Sequence, residues 1–305
     1  MSIRAWLARR QIRRAFRGKA TRDFAPDQLV KLFGGLLAKA EQMAPALPAS
    51  VKVTPVEGEG FRGEWVEAPG ALPARSILHF HGGGYVWGGI GGFRDFAMRL
   101  SAAAKAKVFL LQYRVAPEHP CPAAVEDAVA AWKALAMGGA PVMLGGDSAG
   151  GGLAVALVQA LAAEGIKGPA ALGLIAPWVD LGLGGSTFAG NAESDVMLDP
   201  RGIGRAAELY RGGLAASDPR CSPLFGRMDT MPPTLLQVDA GEILLDDSRR
   251  LAAKITEAGG KAQLDIWKGL FHDWPMVARL VPEGRKAIVD MARHYEAHWD
   301  GGETT

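Results

Sequence analysis

Residues 142–161 read VMLGGDSAGGGLAVALVQAL, an apolar run that ends in Gly146-Asp147-Ser148-Ala149-Gly150 and passes at once into a helical pattern. Turning from strand to helix within one residue strains the serine backbone and excludes bulk at the flanking glycines. It also holds the hydroxyl over a sheet edge, at the positive end of a helix. G-x-S-x-G alone is a weak signal that a tight turn also satisfies. In this strand–turn–helix setting it makes Ser148 a candidate nucleophile.

A serine hydroxyl needs a base, and six histidines are available. In the α/β hydrolases, whose serine sits on a turn resembling this one, an acid and then a histidine follow it along the chain. His272, in WKGLFHDW, lies just past the last short apolar run, on a loop at a strand's carboxyl end. His79 and His81 alternate around an earlier strand end and read as structural. His294 and His298 stand four apart on a helical segment, but HYEAH is not H-E-x-x-H and no third ligand accompanies them, so a solvated face is expected. For the acid, LLQVDAGEILLDDSRR offers Asp239, Glu242, Asp246 and Asp247. Periodicity does not choose among them, and Asp246 and Asp247 equally suit the first turn of a helix.

The stretch HFHGGGYVWGG, residues 79–89, supplies the remaining chemistry. A tetrahedral oxyanion needs donors aimed at it, and backbone amides serve well where no side chain blocks the approach. Gly82, Gly83 and Gly84 leave that approach open, and Ala149 adds the amide next to Ser148.

These residues need a scaffold. SILHF, KVFLLQY, PVMLGG, AALGLIAPW, PTLLQVDA and AQLDIW are short apolar runs suited to strands buried on both faces. Helical patterns at 92–104, 122–137, 149–163, 243–258 and 282–298 separate most of them, which predicts an α/β fold with a parallel sheet. VKVTPV and FRGEWVEA add two alternating strands, expected to run antiparallel to the rest, for eight in all. Residues 1–45, largely helical, and 181–215 fall outside the rhythm, as insertions over a site do.

Taken in order, HGGGYVWGG, QYRVAPEHPCPAAVEDA, GGDSAGGGLA, APWVDL, DPRCSPLFG and WKGLFHDW resemble the bacterial hormone-sensitive-lipase-like esterases of the α/β-hydrolase superfamily. The resemblance covers nearly everything from about residue 50. It implies an eight-stranded, mostly parallel sheet flanked by helices, with residues 46–305 as catalytic domain. A small helical cap would come from residues 1–45, with 181–215 contributing. It implies Ser148 as nucleophile, His272 as base, and Gly83, Gly84 and Ala149 as oxyanion donors. The family's acid is the first residue of a D-x-L-x-D pattern, which here reads Glu242-Ile243-Leu244-Leu245-Asp246 and so points to Glu242. Arg114 and Glu118 would hold their loop together, and Asp147 would brace the turn. Tyr85, Trp87, Trp178 and Phe188 are candidate pocket walls. The expected activity is hydrolysis of short-to-medium acyl esters through an acyl-enzyme. A lactone or amide hydrolase with the same triad, or a non-catalytic binding protein on the same fold, are the rival readings.

Composition bounds the rest. No G-x-x-x-x-G-K-[ST] is present, and no cofactor, metal or nucleic-acid partner is expected. The expected partner is a small-molecule ester, with a homodimer admissible. No apolar run approaches the ~18 residues of a bilayer span, so no stable membrane insertion is expected. Two cysteines, Cys121 and Cys221, make no disulfide framework and fit a cytoplasmic location. Charge is unevenly placed. Residues 1–22 carry Arg4, Arg9, Arg10, Arg13, Arg14, Arg17, Lys19 and Arg22 without an acid, a local +8 against a whole-chain net of +2. On a helix there, Ile3, Trp6, Leu7 and Phe16 would form a narrow stripe packed on the body.

Overall fold

A computed structural model describes residues 1–17 and 24–299; Lys19, Arg22 and the DGGETT tail lie outside them. Two helices, α1 (Ile3–Phe16) and α2 (Pro26–Gln42), precede eight strands: β1 (Lys52–Gly58), β2 (Phe61–Glu67), β3 (Leu72–Phe80), β4 (Ala106–Leu111), β5 (Val142–Asp147), β6 (Leu172–Ile175), β7 (Thr234–Asp239) and β8 (Ala262–Trp267). They form one sheet in the order β1-β2-β4-β3-β5-β6-β7-β8. All pairings from β4 to β8 are parallel. Of the two strands expected to run against the others, only β2 does so. It pairs antiparallel with both β1 and β4, so β1, reversed by the turn at Gly60, points the same way as β4.

The alternating direction of strand side chains splits the interior into two cores. Along β4, Val108 and Leu110 join the core under α3 (Arg94–Ala104) and α9 (Pro282–Glu296). Phe109 and Leu111 join the other, under α4 (Ala123–Ala136), α5 (Ala149–Ala163) and α8 (Leu245–Glu257). This double burial is why the strands read as continuous apolar runs. The 181–215 stretch contains α6 (Ser186–Gly190) and α7 (Pro200–Arg211), and α7 packs against α2. Cys121 and Cys221 are buried and unbridged.

The stripe expected on α1 divides. Ala5 is fully buried, and with Ala8 and Ile12 it packs on Leu270, Phe271 and Trp274. Two arginines fix that rotation. Arg9 donates to the carbonyls of Leu270 at 2.9 Å and Ser194 at 2.8 Å, and Arg17 to those of Leu198 at 2.6 Å and Ala192 at 2.7 Å. Phe16 consequently turns inward, while Ile3, Trp6 and Leu7 are 79%, 47% and 47% exposed.

Candidate active site

Ser148 stands between β5 and α5 with φ +53° and ψ −121°, a conformation rare for any residue with a side chain and costing about 1–3 kcal/mol. Neighbouring glycines make it attainable. A Cβ at Gly146 would lie 2.3 Å from the Gly150 carbonyl oxygen, and one at Gly150 would lie 2.1 Å from that of Phe80. The serine backbone is tied down by its own N–H donating to Ile175 at 2.8 Å and its carbonyl accepting from Trp178 at 2.9 Å.

His272 brings the parts together. Its Nε2 lies 2.8 Å from Ser148 Oγ, and its Nδ1 lies 2.6 Å from Glu242 Oε2. The other Glu242 oxygen accepts the Asp239 amide at 2.8 Å, which anchors the carboxylate to the end of β7. Of the four acids left open by periodicity, Glu242 is the one at the imidazole. Asp239 faces away, accepting from Gly241 and Leu270. Asp246 accepts from Thr187 N–H and Ser186 Oγ, and the buried Asp247 accepts the amides of Val179 and Asp180.

The glycine loop runs past Ser148. The Gly82 amide donates to Asp147 Oδ2 at 2.8 Å, while His79 Nε2 meets Asp147 Oδ1 at 3.0 Å, so Asp147 braces the loop as expected. Among the described residues, the amides of Gly83 and Gly84 have no partner within the protein. Gly83 has φ +126°, and a Cβ there would lie 2.6 Å from the Trp87 carbonyl oxygen. Ala149, first in α5, contributes an amide that the helix leaves unpaired. His81 stacks on Tyr113 at 4.2 Å, and burial pushes its pKa down to about 4. His294 and His298 spend ring nitrogens on the carbonyls of Pro233 and His294.

A cavity of about 490 Å³ opens at this site. Gly82, Gly83, Trp87, Phe271, His272 and Asp273 form its floor, and Ile12 and Phe16 of α1 with Phe33, Leu36 and Leu37 of α2 form its roof. Of the four candidate pocket walls, only Trp87 lines it. Positive φ at Gly84 and Tyr85 turns the chain inward, and Tyr85 stacks on Tyr210 at 3.8 Å with its hydroxyl over the bare Gly152. Trp178 is 1% exposed in the core, and Phe188 packs half-buried against that core. Arg114 holds its loop through Asp127, at 2.8 Å to backbone and side chain alike, whereas Glu118 is exposed. Asp127 lies on α4, near the end of the QYRVAPEHPCPAAVEDA stretch.

Two acids near the triad went unread in the sequence. Asp195 is 3% exposed and accepts the amides of Met197, Leu198 and Ile243, which fixes the turn bearing Glu242. Asp273 has φ +56°, and its Oδ2 lies 3.2 Å from His272 Nε2, on the same edge as Ser148. Among the described residues its buried Oδ1 has no partner. Burial pushes the Asp273 carboxyl up to about 7, against the pull of the adjacent imidazole. A carboxylate directly after the candidate base was the available signal for Asp273. Asp195, 47 residues before Glu242 in the chain, offered none.

Comparison with known proteins gives the family of the chain. Residues 77–276 match the family model described as alpha/beta hydrolase fold. An acetyl-hydrolase of Streptomyces hygroscopicus is 42% identical, over 74% of this chain and 76% of the relative. An esterase of Acinetobacter venetianus is 32% identical, over 88% of this chain and 90% of the relative. A solved esterase of the bacterial hormone-sensitive lipase family superposes with a TM-score of 0.88 at 35% identity, covering 98% of this chain and 99% of that one. The esterase EstE5, from a crystal soaked in p-nitrophenyl butyrate, gives 0.89 at 35% identity over 99% of this chain and 100% of its own. With a serine on a strained strand-to-helix turn and a glycine loop beside it, the chain belongs to the alpha/beta-hydrolase family, among the bacterial hormone-sensitive-lipase-like esterases, and is a carboxylic-ester hydrolase.

Proposed function

We propose that the chain hydrolyses short-to-medium acyl esters through an acyl-enzyme formed on Ser148. His272 Nε2 accepts the Ser148 proton as Oγ attacks the ester carbonyl, and Glu242 holds the ring and stabilises the imidazolium. The amides of Gly83, Gly84 and Ala149 receive the oxyanion. The imidazolium returns its proton to the leaving alcohol. Water, deprotonated by the same nitrogen, then attacks the acyl carbon, and the serine leaves with that proton. The single observation that carries this reading is the bridging of Ser148 Oγ and Glu242 by one buried imidazole, at 2.8 Å and 2.6 Å.

Residues 1–45, joined by 181–215, act in this reading as a cap over the acyl chain. In support, α1 and α2 line the cavity and α7 packs on α2. A series of p-nitrophenyl esters from acetate to palmitate, with lactones alongside, tests the substrate range. A maximum between about C2 and C8 is expected. A maximum at C12 or longer, or a clear preference for lactones, would overturn it.

A further inference from the structure

The basic amino terminus is only partly explained by the fold. Arg9 and Arg17 are spent on carbonyls of the body. Arg4, Arg10, Arg13 and Arg14 are exposed, and among the described residues none has a carboxylate or carbonyl partner. Arg10 instead lies 5.6 Å over the Trp6 ring. The same outward side presents Ile3, Trp6 and Leu7, at 79%, 47% and 47% exposure. A helix serving only as a packed element would turn these three inward and leave charge outside. Here Ala5, Ala8, Ile12 and Phe16 already occupy the inward side.

We propose that the outer face of α1 is a peripheral docking site for an anionic lipid surface. Arginines flanking a tryptophan and two aliphatic side chains match the layered chemistry of such an interface, with phosphates outside and acyl chains beneath. Exposed aliphatic residues would gain nothing from a nucleic-acid backbone, which favours lipid over a polyanion. The helix is already fastened to the body through Ser2–Glu283, Arg9 and Arg17, so docking needs no folding of the segment. It would lie on the surface and not across it. No helix among the described residues is long and apolar enough to cross a membrane. Because the inner side of α1 lines the cavity, docking would hold that cavity close to the lipid. None of this depends on how Ser148 reacts.

The test uses the full chain with two vesicle types, pure phosphatidylcholine and phosphatidylcholine with about one third phosphatidylglycerol, at physiological salt. Sedimentation with the anionic vesicles alone is expected. Two double variants, W6S/L7S and R10E/R13E, should each weaken it tenfold or more. Both change exposed side chains outside the cavity, so melting temperature and hydrolysis of a soluble short ester should be unchanged. Failure to sediment with anionic vesicles would overturn the proposal, as would sedimentation indifferent to both variants. Heparin or RNA binding that survives W6S/L7S, with no lipid binding, would make the face a polyanion site instead.

Discussion

The site holds two buried histidine–carboxylate pairs, and they have different fates. His79 meets Asp147 at 3.0 Å and His272 meets Glu242 at 2.6 Å, so both rings are held by an acid. The difference is at the second nitrogen. Among the described residues the buried His79 Nδ1 has no partner, and even a Cβ on Gly145 would come within 2.8 Å of it. His272 Nε2 reaches Ser148 Oγ and Asp273 on the cavity wall. The second nitrogen of His79 faces packed protein, whereas that of His272 has a serine on one side and a substrate space on the other. A histidine–carboxylate pair is thus a brace in one place and, in our reading, a proton relay in the other.

Removing the relay's endpoint should have the largest effect. Ser148→Ala is expected to lower ester hydrolysis by about 10⁴-fold or more with melting unchanged. More than a few per cent of residual activity would remove Ser148 from the role. Next come changes at the two carboxylates, isosteric Glu242→Gln and Asp147→Asn with the shorter Glu242→Asp between them. Glu242→Gln should lower kcat by about 10³–10⁴-fold, because an amide can favour the wrong imidazole tautomer. Glu242→Asp should cost less, since only reach is lost. Asp147→Asn should act chiefly on stability, by about 1–3 kcal/mol, through the Gly82 and His79 contacts. Parallel kcat and melting measurements decide the matter. If Asp147→Asn abolished catalysis at native stability while Glu242→Gln only lowered melting, the two pairs would exchange roles.

Asp273 sharpens the contrast through pH. Burial works to lower the His272 pKa, but the charges and hydrogen bonds of Asp273 and Glu242 outweigh it and hold the ring well above its ordinary value. The ring must be neutral to accept the serine proton, so activity should rise with pH as it deprotonates. Asp273→Asn removes one negative neighbour while suiting the left-handed backbone. It should move the acid limb of kcat/KM to lower pH by about one unit. Superimposable limbs in the two enzymes would show that Asp273 does not act on His272. The smallest effects on rate should come from α8. Asp246→Asn and Asp247→Asn should leave kcat nearly intact, with Asp247→Asn losing more stability because its carboxylate accepts two buried amides. A dead Asp247→Asn enzyme that melts normally would move the acid away from Glu242.

Much of this was legible in the chain alone. Doubly buried strands need apolar runs, and a strand that turns into a helix at one serine needs glycines on both sides. Those local demands wrote the sheet, the α5 junction and the glycine loop into the order of residues. Chain order also placed His272 after the last strand, because parallel strands bring their carboxyl ends to one edge. Facts that depend on distant partners were not written there. The direction of β1 followed from its pairing with β2, and the outward rotation of Trp6 and Leu7 from arginines reaching carbonyls some 180 to 260 residues away. Tyr85 and Trp178 share the size and apolarity of a pocket wall, and only backbone direction sent them into the core. Sequence specifies what each segment can bury. Which neighbour it is buried against is decided when the sheet closes and every side of a helix must meet protein or solvent.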